Sequence, residues 1–172
     1  MSYDSAEIIE RWRQAMLKEG DKAPDVKLPL PDGSSTSVAE QAGKILVLYF
    51  YPKDDTPGCT TEAQGFTAAA EEFRKLGAEV IGVSKDTVAR HRKFKEKYSL
   101  DVTLASAAEA DMVERYGAWV EKSLYGRQYM GIDRSTWLID GDGVIRRIWR
   151  KVKVGGHVQE VLGAVRELAA TS

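Results

Sequence analysis

Apolar positions along the chain recur with two periods, and these periods divide it into helices and strands. Residues 3–19 carry Ile8, Ile9, Trp12, Ala15 and Met16 at helical spacing with charges between them. That pattern predicts an amphipathic helix stopped at Gly20. Lys22 to Val38 reads as a short hairpin about Pro31-Asp32-Gly33-Ser34, because Pro presets φ and Gly tolerates positive φ. Ile45 to Tyr51 is an unbroken apolar run, as expected for a strand buried on both faces. After a loop over Pro52–Gly58, a helix is expected from about Cys59 to Leu76, with Phe66, Ala69, Ala70 and Phe73 as its stripe and Gly77 as its stop. Residues 79–84 read as a second buried strand, and Asp86 as the N-cap of a helix over 87–98. A short strand near 102–104 and a short helix over 109–116 follow. Thr136–Ile139 and Val144–Trp149 flank Asp140-Gly141-Asp142-Gly143 as a hairpin. A closing helix over 156–169 places Val158, Val161, Leu162, Val165 and Leu168 on one face.

Strands alternating with helices, then a hairpin and a helix, predict an α/β fold with a mixed central sheet flanked by helices. The length of 172 residues suits one domain, and 43% apolar residues are enough for a core. Residues 20–172 read as that domain and residues 1–19 as a helical extension. With 25 Lys and Arg against 26 Asp and Glu, the charge is −1, which speaks against a general nucleic-acid binder. No apolar run approaches the roughly 20 residues of a membrane helix. The start, Met1-Ser2-Tyr3-Asp4-Ser5, lacks the basic and apolar regions of a secretion signal, so a cytoplasmic protein is expected. A single cysteine excludes an internal disulfide and any multi-cysteine metal site.

That cysteine, Cys59, follows a buried strand and a Pro57-Gly58 turn, at the start of a helix. Ligand sites in open α/β sheets lie at such carboxyl ends of strands. Free first-turn amides and the helix dipole favour an anion there. The residues alone leave two readings open, an activated thiol and an inert buried cysteine of the kind common in cores.

Pro52-x-x-x-Thr56-x-x-Cys59 resembles the active-site motif of the peroxiredoxins. The wider string Tyr51-Pro52-Lys53-Asp54-Asp55-Thr56-Pro57-Gly58-Cys59-Thr60-Thr61-Glu62-Ala63 is similar to that of their bacterioferritin comigratory, or Q-type, branch. The block Tyr125–Asp140, Gly20–Asp25 and Lys151–His157 agree with it, so the likeness spans about residues 20–168. The resemblance implies a thioredoxin-like fold and reduction of hydrogen peroxide and organic hydroperoxides by a cysteine thiolate. It implies that Cys59 is the peroxidatic nucleophile, that Thr56 hydrogen-bonds the peroxide, that Pro52 shields the thiolate, and that Arg134 stabilises charge. The amides of Gly58 and Cys59 would add to this cradle, and Glu62 would accept a hydrogen bond within the site. Tyr51 and Trp137 are candidate pocket liners, although residues of their kind more often belong simply to the core. No metal, haem, flavin or nucleotide cofactor is expected.

Many members of the branch carry a resolving cysteine five residues after the first, and others carry it on the next helix. Those positions are Gln64 and, by alignment, about Lys95. A one-cysteine mechanism follows, with the sulfenic acid reduced by an external thiol such as thioredoxin, glutaredoxin with glutathione, or a small thiol. The alternative is a thioredoxin-like peroxide sensor or binding module with little turnover. Expected partners are thus a hydroperoxide and a thiol, with no nucleic acid or membrane, in a monomer or weak dimer. Asp140–Gly143 does not continue as a calcium loop, since Val144 and Lys151 stand where ligands would be needed. Arg146, Arg147, Arg150, Lys151 and Lys153 read as a solvated face. His91 and His157 lack a partner at ligand spacing and read as non-catalytic.

Overall fold

The computed structural model describes residues 16–171. Two short strands, β1 (Leu28–Pro29) and β2 (Ser35–Thr36), pair as the expected first hairpin. A five-stranded sheet follows, built from β3 (Ile45–Phe50), β4 (Ala78–Ser84), β5 (Thr103–Ser106), β8 (Ser135–Ile139) and β9 (Ile145–Trp149). Their order across it is β5-β4-β3-β8-β9. β3, β4 and β5 run parallel; β8 and β9 run antiparallel to their neighbours. The sheet is therefore mixed, with the longest apolar run as its centre.

Alternation along β3 divides the core. Val47 and Tyr49 face one side, with α1 (Pro57–Ala68), α2 (Ala70–Lys75), α3 (Val88–Tyr98) and α5 (His157–Thr171) packed over them through Phe66, Phe73, Phe94 and Val161. Leu46, Leu48 and Phe50 face the other side, covered by α4 (Met112–Arg115), the β1–β2 hairpin and Trp137. Helices thus lie on both faces, most of them on one.

Several boundaries differ from the sequence reading, each for a local reason. The helix expected over 59–76 starts two residues earlier, because Pro57 occupies its first turn, where a missing N–H costs nothing. It breaks at Ala69, whose φ of −95° and ψ of 3° are not helical. Asp86 does not cap α3. Thr87 does, its hydroxyl accepting from the Arg90 amide at 3.2 Å, while Asp86 is turned inward toward Asp54. The helix expected over 109–116 shrinks to one turn. Two strands had no periodic signal, β6 (Trp119–Leu124) and β7 (Arg127–Ile132). They form a separate hairpin about Tyr125-Gly126, with Tyr125 97% exposed, so no buried face imposes a pattern. Most of the helix expected over 3–19 lies outside the described residues. Met16–Glu19 is not helical, and Leu17 packs against the second core face. Asp140 closes the last hairpin as expected, its carboxylate accepting from the amides of Asp142 and Val144.

Gly82 shows how tightly the centre is fitted. It pairs with Tyr49 across β3 and β4, and a Cβ on it would lie 2.6 Å from the buried Tyr49 ring. That ring stacks on Phe66 of α1, at a centroid distance of 4.6 Å. Gly82→Ala is expected to lower stability by about 1–3 kcal/mol through overpacking, read as a lower urea midpoint. An unchanged midpoint would show that the Tyr49 ring is free to move.

Candidate active site

The site forms where β3 ends and α1 begins. Chain order delivers Pro52, Thr56, Gly58, Cys59 and Glu62 from this one segment. The antiparallel partner β8 delivers Arg134 from the residue just before it, because Phe50 pairs with Ser135. Residues 75 positions apart in the chain thereby meet: Arg134 Nη2 donates to Cys59 Sγ at 3.3 Å. Its other nitrogen, Nη1, donates to Glu62 Oε1 at 2.7 Å. The Arg134 carbonyl accepts from the Val152 amide, which ties the residue's backbone to the segment after β9. Arg134 is therefore drawn in from the surface. It is a largely buried bridge between an acid and a sulfur.

Cys59 is 2% exposed and Glu62 is fully buried. Helical spacing puts both on the inward face of α1, with Ala63 and Phe66. First-turn geometry leaves the amides of Gly58 and Cys59 without intrahelical acceptors, the local field that favours an anion at the sulfur. Gly58 has a second role. A Cβ there would stand 3.2 Å from Arg134 Nη2, so the absence of a side chain lets the guanidinium approach.

Electrostatics at Glu62 are opposed. Burial pushes its carboxyl up to about 7, against the pull of Arg134. Oε2 is buried without a hydrogen-bond partner among the described residues, as is the Tyr49 hydroxyl. One oxygen of this carboxyl is satisfied and the other is not, which is why desolvation outweighs the ion pair. Arg134 is held above its ordinary range despite the opposing effect of burial, because Glu62 and the sulfur both stabilise its charge.

The remaining candidates fall differently. Pro52 is half-buried at the strand end. Thr56 precedes α1, but its hydroxyl donates to the Lys53 carbonyl at 2.9 Å and does not cap the helix. Its oxygen keeps lone pairs free to accept. Tyr51 belongs to the core on the Cys59 side, and its hydroxyl donates to Asp54 at 2.6 Å. Trp137 is not at the site: alternation along β8 turns it to the opposite face of the sheet, where it packs edge-on against Tyr116. Gln64 is exposed and Lys95 half-buried. His157 pairs with the Thr136 hydroxyl at 2.8 Å, and burial lowers its pKa. From sequence alone Asp54 has no role and His91 reads as non-catalytic; their side chains meet at 2.6 Å beneath the loop. Only the charge of Asp54, unusual next to a buried strand, hinted at this.

Residues 19–148 match the AhpC/TSA family, and the chain belongs to it. Peroxiredoxin Bcp of Bacillus subtilis is 46% identical over 153 residues, covering 89% of this chain and 98% of that protein. Peroxiredoxin Bcp of Escherichia coli is 39% identical over the same shares. The bacterioferritin comigratory protein of Xanthomonas campestris, studied for alkyl peroxide reduction, superimposes with a TM-score of 0.80. It is 42% identical, over 84% of this chain and 92% of that one. A PrxQ variant of Xylella fastidiosa gives 0.84 at 35% identity, over 89% and 98%. Within the family the chain is a thioredoxin-fold peroxiredoxin of the bacterioferritin comigratory, or Q, type. It carries one cysteine and no resolving partner.

Glu62 generates a stability prediction. The folded carboxyl keeps its proton up to about pH 7, while the unfolded one releases it near 4.5. Between these values the folded state binds more protons, so stability falls as pH rises. At about 1.4 kcal/mol per pH unit, the loss across the window is on the order of 3 kcal/mol. Glu62→Gln is expected to remove this part of the slope, read by urea unfolding at pH 4.5 and 7.5. Parallel slopes for the two proteins would refute the assignment.

Proposed function

We propose that this chain is a one-cysteine hydroperoxide reductase, and that Cys59 is its nucleophile. The observation that carries the reading is the Arg134 guanidinium, which donates at once to Cys59 Sγ and to the buried Glu62. A thiolate needs a nearby cation and donors to persist in so enclosed a place. It then attacks one peroxide oxygen; the S–O bond forms as the O–O bond breaks. The departing oxygen takes a proton and leaves as water or alcohol, and Cys59 becomes a sulfenic acid. Arg134 sits where it can stabilise the charge that develops on the breaking bond. Thr56 offers a hydroxyl to the peroxide, Pro52 keeps water from the sulfur, and the amides of Gly58 and Cys59 complete the cradle. Glu62 fixes the guanidinium.

The second half of the cycle needs an external thiol. It condenses with the sulfenic acid to a mixed disulfide and water; a second thiol then attacks that disulfide, so that Cys59 leaves as the thiolate and the reductant is left as its disulfide. Thioredoxin, glutaredoxin with glutathione, or a small thiol fits this chemistry. A lone free thiol suits a reducing compartment, which favours the cytoplasm. Among the described residues no helix is long and apolar enough to cross a membrane. We also assign residues 20–172 to the catalytic domain and residues 1–19 to an extension, in a monomer or weak dimer.

Competition kinetics of the reduced protein with hydrogen peroxide test the reading. Cys59→Ser is expected to abolish the reaction. Arg134→Met is expected to slow it by about 10²–10³-fold, the usual effect of removing one charge-stabilising donor. A wild-type rate no faster than that of free cysteine would leave the sensor or binding reading in its place.

The missing resolving cysteine gives a further expectation. Excess peroxide without reductant should convert Cys59 to the sulfinic acid, a gain of about 32 Da for two oxygens on the oxidation ladder. Intact-mass spectrometry reads it directly. A sulfenic acid that persists through prolonged excess peroxide would contradict this.

A further inference from the structure

Beneath the loop that precedes Cys59 lies a buried polar cluster with no part in the chemistry above. Asp54 is only 3% exposed although its neighbours Lys53 and Asp55 face solvent. Its Oδ1 accepts from the Tyr51 hydroxyl at 2.6 Å, and its Oδ2 lies 2.6 Å from His91 Nδ1. Its backbone amide donates to Asp86 Oδ2 at 2.9 Å. His91, fully buried on α3, places its other nitrogen, Nε2, 3.1 Å from the Ala105 carbonyl of β5.

Both imidazole nitrogens thus face oxygen acceptors. A carbonyl cannot donate, so Nε2 must carry a hydrogen. A further proton must lie between Nδ1 and Asp54. The pair therefore holds it as a charge-assisted hydrogen bond, neutral as a unit and satisfied on every side. Asp54, Asp86 and His91 offer a donor set of the kind that holds divalent cations, with atoms within 4.8 Å of one another. Here hydrogens take those lone pairs: Asp86 also accepts from the Ser84 hydroxyl at 2.6 Å and from Arg90 Nε at 2.9 Å. The cluster is built as a clamp rather than a cation site.

The next loop residue is gripped by the same helix. Asp55 has φ of 60°, a left-handed conformation uncommon outside glycine that Asp adopts more readily than most residues. Its carboxylate accepts from Lys97 Nζ at 2.8 Å and from the Tyr98 hydroxyl at 2.6 Å. α3 therefore holds two consecutive residues of the segment between β3 and Cys59. Cys59 is too enclosed for a reductant's sulfur to reach it without movement of that segment.

We propose that Asp54 and His91 are positioning residues for the peroxidase reaction: their buried pair clamps the Cys59 loop in the peroxide-reactive form and sets the balance between oxidation and reduction. The inference rests on Cys59 being the nucleophile and an external thiol its reductant. Releasing the clamp costs alignment with Arg134 and increases access to the sulfur. The two half-reactions should therefore move in opposite directions.

The test uses the full chain with Asp54→Asn and His91→Asn, and, should these fold poorly, with Tyr51→Phe, which removes a single hydroxyl that bonds Asp54 and lies 3.4 Å from His91 Nδ1. Oxidation is timed by quenched mixing with hydrogen peroxide. Reduction is timed by adding glutathione to protein pre-oxidised with one equivalent of peroxide. The clamp predicts oxidation slowed about tenfold or more by misalignment, with glutathione reduction accelerated severalfold. It also predicts faster amide hydrogen exchange over residues 53–60, with β4 unchanged. Rates that fall in parallel, or that do not change in folded variants, overturn it, as does unchanged exchange over 53–60. A wild type that fails to outpace free cysteine would instead refute the peroxidase reading, and the exchange measurement would still judge the clamp.

Discussion

The guanidinium of Arg134 is the point on which the site depends, because it is the only cation seen to touch Cys59 or Glu62 among the described residues. An acid and a sulfur on one inward helical face would be costly to bury together as anions. Arg134 relieves both, and the fold is arranged to bring it there. The antiparallel register of β3 against β8 fixes where the segment before β8 must pass. The Val152 amide fixes its backbone, and the bare Cα of Gly58 leaves room for its head. The neutralisation is incomplete, since one oxygen of Glu62 has no partner. A carboxyl half satisfied in this way stays titratable near neutral pH, whereas a fully bonded one would be locked as an anion.

The same helix is anchored unevenly. From Glu62 onward α1 is held by the core: Ala63 and Phe66 are buried, and Phe66 stacks on Tyr49 and meets Phe73 at a tilt. The first turn has lighter ties, namely the Thr60 amide to the Thr56 carbonyl, the Thr61 hydroxyl to the Pro57 carbonyl, and the Arg134 contact with sulfur. Free energies of local opening follow such differences in buried contact. The boundary between loosely and firmly held backbone falls just after Cys59. Movement there can expose the sulfur while leaving Phe66 and the sheet in place.

What the sequence disclosed depended on whether burial wrote a pattern into it. The central strands were legible because burial on both faces demands unbroken apolar runs. β6 and β7 were invisible because their hairpin is largely exposed and nothing selects its alternation. The site loop was legible through its order of Pro52, Thr56 and Cys59, whereas Arg134 needed the likeness of a second distant block. For Trp137 the core reading holds and the pocket reading does not, and only the register of the folded sheet, which sets strand parity, decides between them. Asp86 reads as a cap by a local rule, but its carboxylate accepts from the Ser84 hydroxyl, from Arg90 Nε and, 32 residues away, from the Asp54 amide, a contact that no local rule offers. The pairing of His91 with Asp54 is hidden for the same reason, because the two lie 37 residues apart.

These long-range polar contacts share a direction. Asp54 and Asp55 point to α3, Arg134 points to α1, and Cys59 lies between the two attachments. In a chain with a second cysteine, an internal disulfide could hold the oxidised loop open after each turnover. Here Gln64 is exposed and Lys95 half-buried, and neither offers sulfur chemistry. The open form must then be reached by thermal fluctuation against the attachments themselves. Their strength is bounded from both sides, since a tighter hold would strand the sulfenic acid and a looser one would lose the alignment with Arg134. A hydrogen-bonded pair buried beneath an otherwise exposed loop meets that requirement. It is strong while water is excluded, and it weakens cooperatively once the loop begins to lift.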